Sequence, residues 1–166
     1  MRKEILLLGE PVLYEKSAEV TDADWPTVPG IIADLHDTLL AFRKEYGSGR
    51  AIAAPQIGVP KRIIYTLTDE PATFVNPVLS FPDDELMEVW DDCMSFPGLF
   101  VKVKRRKRCT VQYLDAHRRK CEISLEGDPA ELIQHEYDHL NGILATMLAI
   151  DGKSFSAKAV RRHNDP

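Results

Sequence analysis

The feature that most restricts the fold of this chain is a short stretch near its C-terminal end, His135-Glu136-Tyr137-Asp138-His139, with the pattern HExxH. On an α-helix, residues four apart lie one turn above the other on the same face, so both imidazoles can reach one ion. The flanks favour such a helix: Asp128 suits its N-cap, Pro129 its first position and Gly142 its C-terminal cap. Glu136 follows the first histidine directly and projects at an angle suited to a water beside the ion rather than to the ion itself. The bland alternative is a pair of histidines that sit on a helix surface or in a core.

The chain before this helix reads mostly as strand. Val101 and Val103 alternate with Lys102 and Lys104, the pattern of a half-buried strand. Residues 109–114 and 121–125 continue the series, with residues 115–119 as the turn between them. Residues 62–67 and 86–90 are further short β-branched or apolar runs. Earlier still, Ile31, Leu35, Leu39, Phe42 and Tyr46 fall at helical spacing and predict an amphipathic helix that Gly47-Ser48-Gly49 ends. Residues 9–30, with Pro11, Pro26, Pro29 and Gly30, read as an extended arm or loop, and the polar tail from Lys153 as a short helix. Strands first and a late helix predict an α+β fold, with antiparallel β-sheets packed around a central HExxH-bearing helix. The 166 residues suffice for one domain, 1–166.

Charge and composition narrow the partners. A net charge of −5 argues against a nucleic-acid binder, DNA above all, and no apolar run is long enough for a bilayer. The start, Met-Arg-Lys-Glu and then an apolar run, lacks a cleavage site, so the expected location is cytoplasmic. Six of the seven residues 102–108 are basic. They read as a solvated hairpin end or, alternatively, as a docking patch for an acidic partner such as a ribosome. Three cysteines argue against a disulfide framework, and Cys109 and Cys121 read as small core residues.

A catalytic metal site needs a third protein ligand and an open position. The only later His or Glu after His139 is His163, close to the end of the sequence, which disfavours a metallopeptidase of the zincin kind. Upstream, Cys93 lies in Asp91-Asp92-Cys93-Met94-Ser95-Phe96-Pro97-Gly98, at a strand-to-loop point where a thiolate can complete a Cys93, His135, His139 set.

Three motifs now line up with one family. Gln134 to Gly142 resembles the peptide deformylase signature QHExDHLxG at each fixed position. Cys93-Met94-Ser95-Phe96-Pro97-Gly98 resembles that family's cysteine box, and Ile52-Ala53-Ala54-Pro55-Gln56-Ile57-Gly58 its GxGLAAPQxG loop. Weaker echoes at Gly9 to Leu13, Asn76-Pro77 and Val103 to Arg105 extend the match over most of the chain. The resemblance implies a metal-dependent hydrolase that removes the N-formyl group from the formyl-methionine of nascent polypeptides. It implies one divalent ion held by Cys93, His135 and His139, Fe²⁺ in the cell, with Ni²⁺, Co²⁺ or Zn²⁺ as alternatives on isolation. It further implies Glu136 as the proton carrier and, as oxyanion donors, the Gln56 side-chain amide and the Met94 backbone N–H.

Neighbouring positions have expected supporting roles. Asp138 reads as orienting a ligand histidine or as a solvated side chain, Gln134 as supporting the ligands or lying on the helix surface, and Arg105 as a partner for Asp91. Arg50 reads as a solvated side chain or a contact for an anionic substrate group. Departures from the family pattern bear on the substrate. Ala51 replaces a glycine, Asp91-Asp92 replaces Glu-Gly, and Asp128 and Glu131 stand where apolar residues are usual. Two alternatives therefore accompany the formyl-methionine reading: hydrolysis of a different N-formyl or N-acyl substrate, or a non-catalytic metal-binding homologue.

Overall fold

A computed structural model describes residues 1–161. The chain enters through a 3-10 turn at Pro11–Tyr14 and another at Trp25–Thr27, then forms α1 over Val28–Tyr46. The helix thus begins three residues earlier than its apolar spacing predicts. Pro29 lies in the first turn, where a missing N–H costs nothing, so the segment taken as an arm contributes a helix start instead. Gly47, at φ 70°, closes α1 in the left-handed conformation.

Among the described residues eight strands follow: β1 Ala51–Ala53, β2 Ile63–Leu67, β3 Pro71–Ser80, β4 Leu86–Asp92, β5 Leu99–Arg106, β6 Arg108–Leu114, β7 Lys120–Glu126 and β8 Phe155–Ala157. They form two antiparallel sheets, β1-β2-β3-β6-β7 and β4-β5-β8. Helix α2, Asp128–Leu140, packs against β1, β5 and β7 and so against both sheets, as the α+β reading requires. Its N-cap is Gly127 at φ 67°, not Asp128, which is already the first helical residue. Within the tail, residues 155–157 are strand, because they pair with the edge of β5, and only Lys158–Arg161 (α3) is helical. His163 lies outside the described residues.

Strand β3 was not legible in the sequence, because Asn76-Pro77 interrupts it. Pro77 cannot donate to a ladder, and the register shifts between Val75 and Val78. Asn76 is held at φ 50° by its own side chain, whose Oδ1 accepts from Val20 N–H and whose Nδ2 donates to Val20 O.

Three apolar clusters fix the layers. Leu35, Leu39 and Phe42 of α1 pack with Ile52, Ile63 and Val75; Ala130, Ile133 and Leu140 of α2 pack with Ile64, Phe74, Cys109 and Val111; and Cys93 and Phe96 pack with Leu13, Val101, Val103 and Leu144. Cys109 is thus core as expected, whereas Cys121 is only partly covered. Gly142, at φ 71°, ends the α2 segment; a Cβ there would stand 2.4 Å from the Tyr14 carbonyl oxygen.

Most of the basic run 102–108 pairs with this chain's own acids, while Lys104 is exposed outside these pairs. Lys102 pairs with Glu88, Arg106 with Asp84, Lys107 with Glu85, and Arg108 with Asp83, Glu85 and Glu126. Arg105 is not solvated at all: it is 4 % exposed and points to the centre of the molecule. Among the described residues, no helix is long and apolar enough to cross a membrane.

Candidate active site

Helix α2 stacks His135 and His139 one turn apart, and both Nε2 atoms converge at 3.2 Å. The loop after β4 brings Cys93 Sγ to 3.2 Å from His139 Nε2. All three side chains are buried, with their donor atoms within 4.8 Å of one another. One sulfur and two imidazole nitrogens gathered within reach of one another suit a borderline-soft divalent ion with a position to spare. Beside them, buried Glu136 Oε2 and His139 Nδ1 have no hydrogen-bond partner among the described residues. A buried polar atom without a partner is costly and marks a place where chemistry is expected. The donor set therefore fits a metal ion.

Electrostatics separate the two histidines. Burial disfavours charge on both, but the Asp91 carboxylate and the Cys93 sulfur raise His135 well above its ordinary value. Burial and the neighbouring His135 push His139 well below it, leaving the ring neutral. Burial also raises Glu136 to about 7, which poises its carboxyl for proton transfer near neutrality.

The supporting contacts differ from the expected ones in an instructive way. Asp138 does not orient a ligand: its carboxylate accepts from Arg105 Nη1 at 2.8 Å. The group beside His135 is Asp91, whose Oδ1 lies 2.7 Å from Nδ1, a close ionic contact rather than an aligned hydrogen bond. Arg105 holds Asp91 from the other side through Nε and Nη2, at 3.1 and 2.6 Å. The expected Arg105–Asp91 pair is present and belongs to a chain Asp138–Arg105–Asp91–His135 that reaches the centre. Asp91 and Cys93 are two apart on an extended segment and so share a face, a signal that was available in the sequence.

Gln56 is held in a 3-10 turn, with Oε1 accepting from Ala53 N–H at 2.8 Å. Its amide nitrogen is thereby turned toward Cys93 Sγ at 3.5 Å and Ser95 Oγ at 3.1 Å. Ser95, which sequence reasoning passed over, is fully buried, and its N–H lies 3.4 Å from Cys93 Sγ. Met94 packs its side chain into the α1 cluster, which fixes the backbone that follows Cys93. Gln134 neither supports the ligands nor lies on the surface. It clips α2 to the end of β5 by bonds to both the N–H and the carbonyl of Arg106.

A cleft of about 700 Å³ opens onto this centre, lined in part by Ala51, Gln56, Cys93, His135 and Glu136. Ala51 keeps an ordinary strand conformation, paired with Thr66, so its β-carbon brings no backbone strain. Arg50 is not a free cation: it pairs with Asp128 and, at 3.2 Å, with Glu131.

The polypeptide deformylase family matches residues 2–154. A peptide deformylase from Pseudothermotoga lettingae is 37% identical, covering 95% of this chain and 89% of its own. The crystal structure of peptide deformylase from Thermotoga maritima superposes with a TM-score of 0.83 at 31% identity, over 91% of this chain and 99% of that one. A class I type b peptide deformylase from Acinetobacter baumannii, crystallised with Met-Ala-Ser bound, gives 0.81 at 27% identity, over 89% and 99%. This chain belongs to the polypeptide deformylase family of hydrolases.

Proposed function

We propose that this chain, acting as one catalytic domain, removes the N-formyl group from formyl-methionine at the start of new polypeptides. The observation that carries the reading is the convergence of Cys93 Sγ, His135 Nε2 and His139 Nε2 on one point, with the unpaired Glu136 carboxylate beside it in an open cleft. The three would hold one divalent ion, which supplies Lewis-acid polarisation and makes water nucleophilic near neutral pH when bound. We assign Fe²⁺ to it on the family resemblance; nickel and cobalt bind such donors more tightly, so Fe²⁺ would owe its place to supply in the cell rather than to affinity.

Glu136 accepts the proton of the attacking water and returns it to the amine that leaves, which its value of about 7 allows. Oxygen of the formyl group gathers negative charge as carbon becomes tetrahedral. The Gln56 amide, whose Oε1 is held by Ala53 N–H, and the Met94 N–H would be the donors that meet it. Asp91 keeps the His135 ring in position and is itself fixed by Arg105. The natural substrate is an N-formylated peptide, met in the cytoplasm. Residues 102–108 remain the segment through which a ribosome could be met, although Lys102, Arg106, Lys107 and Arg108 are paired with acids of this chain.

The test is amine release from formyl-Met-Ala-Ser by protein purified anaerobically and loaded with Fe²⁺ or Ni²⁺, beside Glu136→Ala. Turnover that disappears in the variant is the expected result. A folded, fully metal-loaded protein that releases no amine would overturn the proposal.

A further inference from the structure

Behind α2, away from the Cys93–His135–His139 cluster, lies a second cavity of about 410 Å³. Tyr137 and Asn141 reach it from α2. At roughly 100° per residue they stand on the face opposite His135 and His139. No described residue lines both this cavity and the cleft. Its volume lies within the range of small-molecule sites, about 300–1,000 Å³.

Two buried side chains on its wall lack the partner their chemistry asks for. Arg62 is 7 % exposed. Its Nη1 donates to Leu140 O at 3.1 Å and to Asn141 Oδ1 at 3.0 Å, and the guanidinium lies over the Tyr137 ring, 5.2 Å from its centre. The carbonyl end of α2 answers about half a unit of charge at most. Among the described residues no carboxylate forms an ion pair with Arg62, although buried charges are ordinarily paired. Ser17 is 3 % exposed, and its hydroxyl has no partner among the described residues. Its main-chain N–H donates to the same Leu140 oxygen at 2.9 Å, which sets Ser17 beside the guanidinium. A bridge between Ala18 and Lys61 holds this segment in place, with Ser17 buried and Lys16 exposed at the rim. The neighbouring amides are already occupied. Asn76 bonds Val20 through both its oxygen and its nitrogen, and Asn141 accepts from Arg62 and donates to Tyr137 O.

We infer that this cavity binds the oxyanion head of a small molecule, a carboxylate or a phosphate, through Arg62 and Ser17. With Nη1 engaged, the Nε–Nη2 edge of the guanidinium is the fork that matches two oxygens of such a group. The Ser17 hydroxyl supplies a third donor. A cation there would meet Arg62 and Lys16, and a neutral ligand would leave the buried charge unanswered. Glu19 also lines the cavity, but it is exposed and makes no ion pair with Arg62, and Lys16 offsets it. Val78, 58 % exposed, offers an apolar edge for a short carbon chain behind the head group.

The test is calorimetric titration of the Ni²⁺-loaded protein with sodium phosphate and, separately, with sodium butyrate, at fixed ionic strength in chloride. One saturable site is expected, with Kd of about 1 mM or tighter for at least one of the two. The tighter anion identifies the head group. Ser17→Ala removes only the hydroxyl and is expected to weaken binding by about tenfold. Arg62→Met is expected to weaken it by more than that. Arg62→Lys, which keeps the charge and loses the fork, takes its place should the methionine variant fail to fold. An anion held by the metal in the cleft would bind Ser17→Ala and the folded Arg62 variant as it binds wild type, and that result overturns the inference. So does the absence of saturable binding of either anion to the folded protein. Deformylation stands or falls separately, since neither residue lines the cleft.

Discussion

Replacing Arg105 with methionine should cost the protein stability and metal together. Its guanidinium is buried, and it makes hydrogen bonds to Asp91 at 3.1 and 2.6 Å and to Asp138 at 2.8 Å. Methionine fills much of the space but leaves Asp91, 2 % exposed, with His135 as its remaining charged contact. Breaking one side of a buried ion pair costs roughly 3–5 kcal/mol, because the other charge stays behind without compensation. For a chain of this size that lowers Tm by about 6–20 °C. Asp91 also positions His135, so metal affinity should drop by about 10-fold to 100-fold. Adding Asp91→Asn removes the stranded charge and should recover part of the stability but none of the affinity. Denaturant unfolding of metal-free protein reads the first effect, and chelator competition the second. The pH dependence gives an independent check. Burial alone would raise the Asp91 carboxyl, but the His135 and Arg105 charges outweigh burial and hold it below the ordinary value of 3.8. The stability it confers is therefore complete above 3.8 and lost as pH falls below it, and that acid slope should flatten in Arg105→Met. A variant within about 1 kcal/mol of wild type, binding metal normally, would refute the reasoning, since such a loss is no more than a surface pair is worth.

Three further outcomes follow from particular contacts. Gly142→Ala should destabilise by about 1–3 kcal/mol or more in chemical unfolding, because φ is 71° and the new Cβ meets the Tyr14 carbonyl at 2.4 Å. If Glu136 is the base, kcat/KM should rise with pH along a limb between the ordinary carboxylate range and about 7, since burial raises the group and a bound cation lowers it; a flat profile there would remove Glu136 from that role. Cys109, fully covered and with its thiol pushed up to about 11 by burial, should resist alkylation at pH 8 in the folded protein, while Cys121 on β7 reacts; mass spectrometry of labelled peptides decides.

The sequence by itself determined what depends on local periodicity. Four-residue spacing put His135 and His139 on one face of a helix, and β alternation placed most of the two sheets. Even so, Asn76-Pro77 concealed β3, because its breaks in alternation are repaired by contacts with Val20, 56 residues away. The helix start at Val28 was missed for a related reason: Pro29 reads as a breaker unless the turn it opens is already known. Only tertiary structure decided which charges meet. Asp138, four residues from Gln134 on the same helix, goes to Arg105 rather than to a histidine; Asp91 takes the place beside His135; and Arg50 reaches Glu131 across 81 residues of chain. Charge carries no periodic signature, and its partner is whichever opposite group the folded backbone leaves within reach where water is excluded.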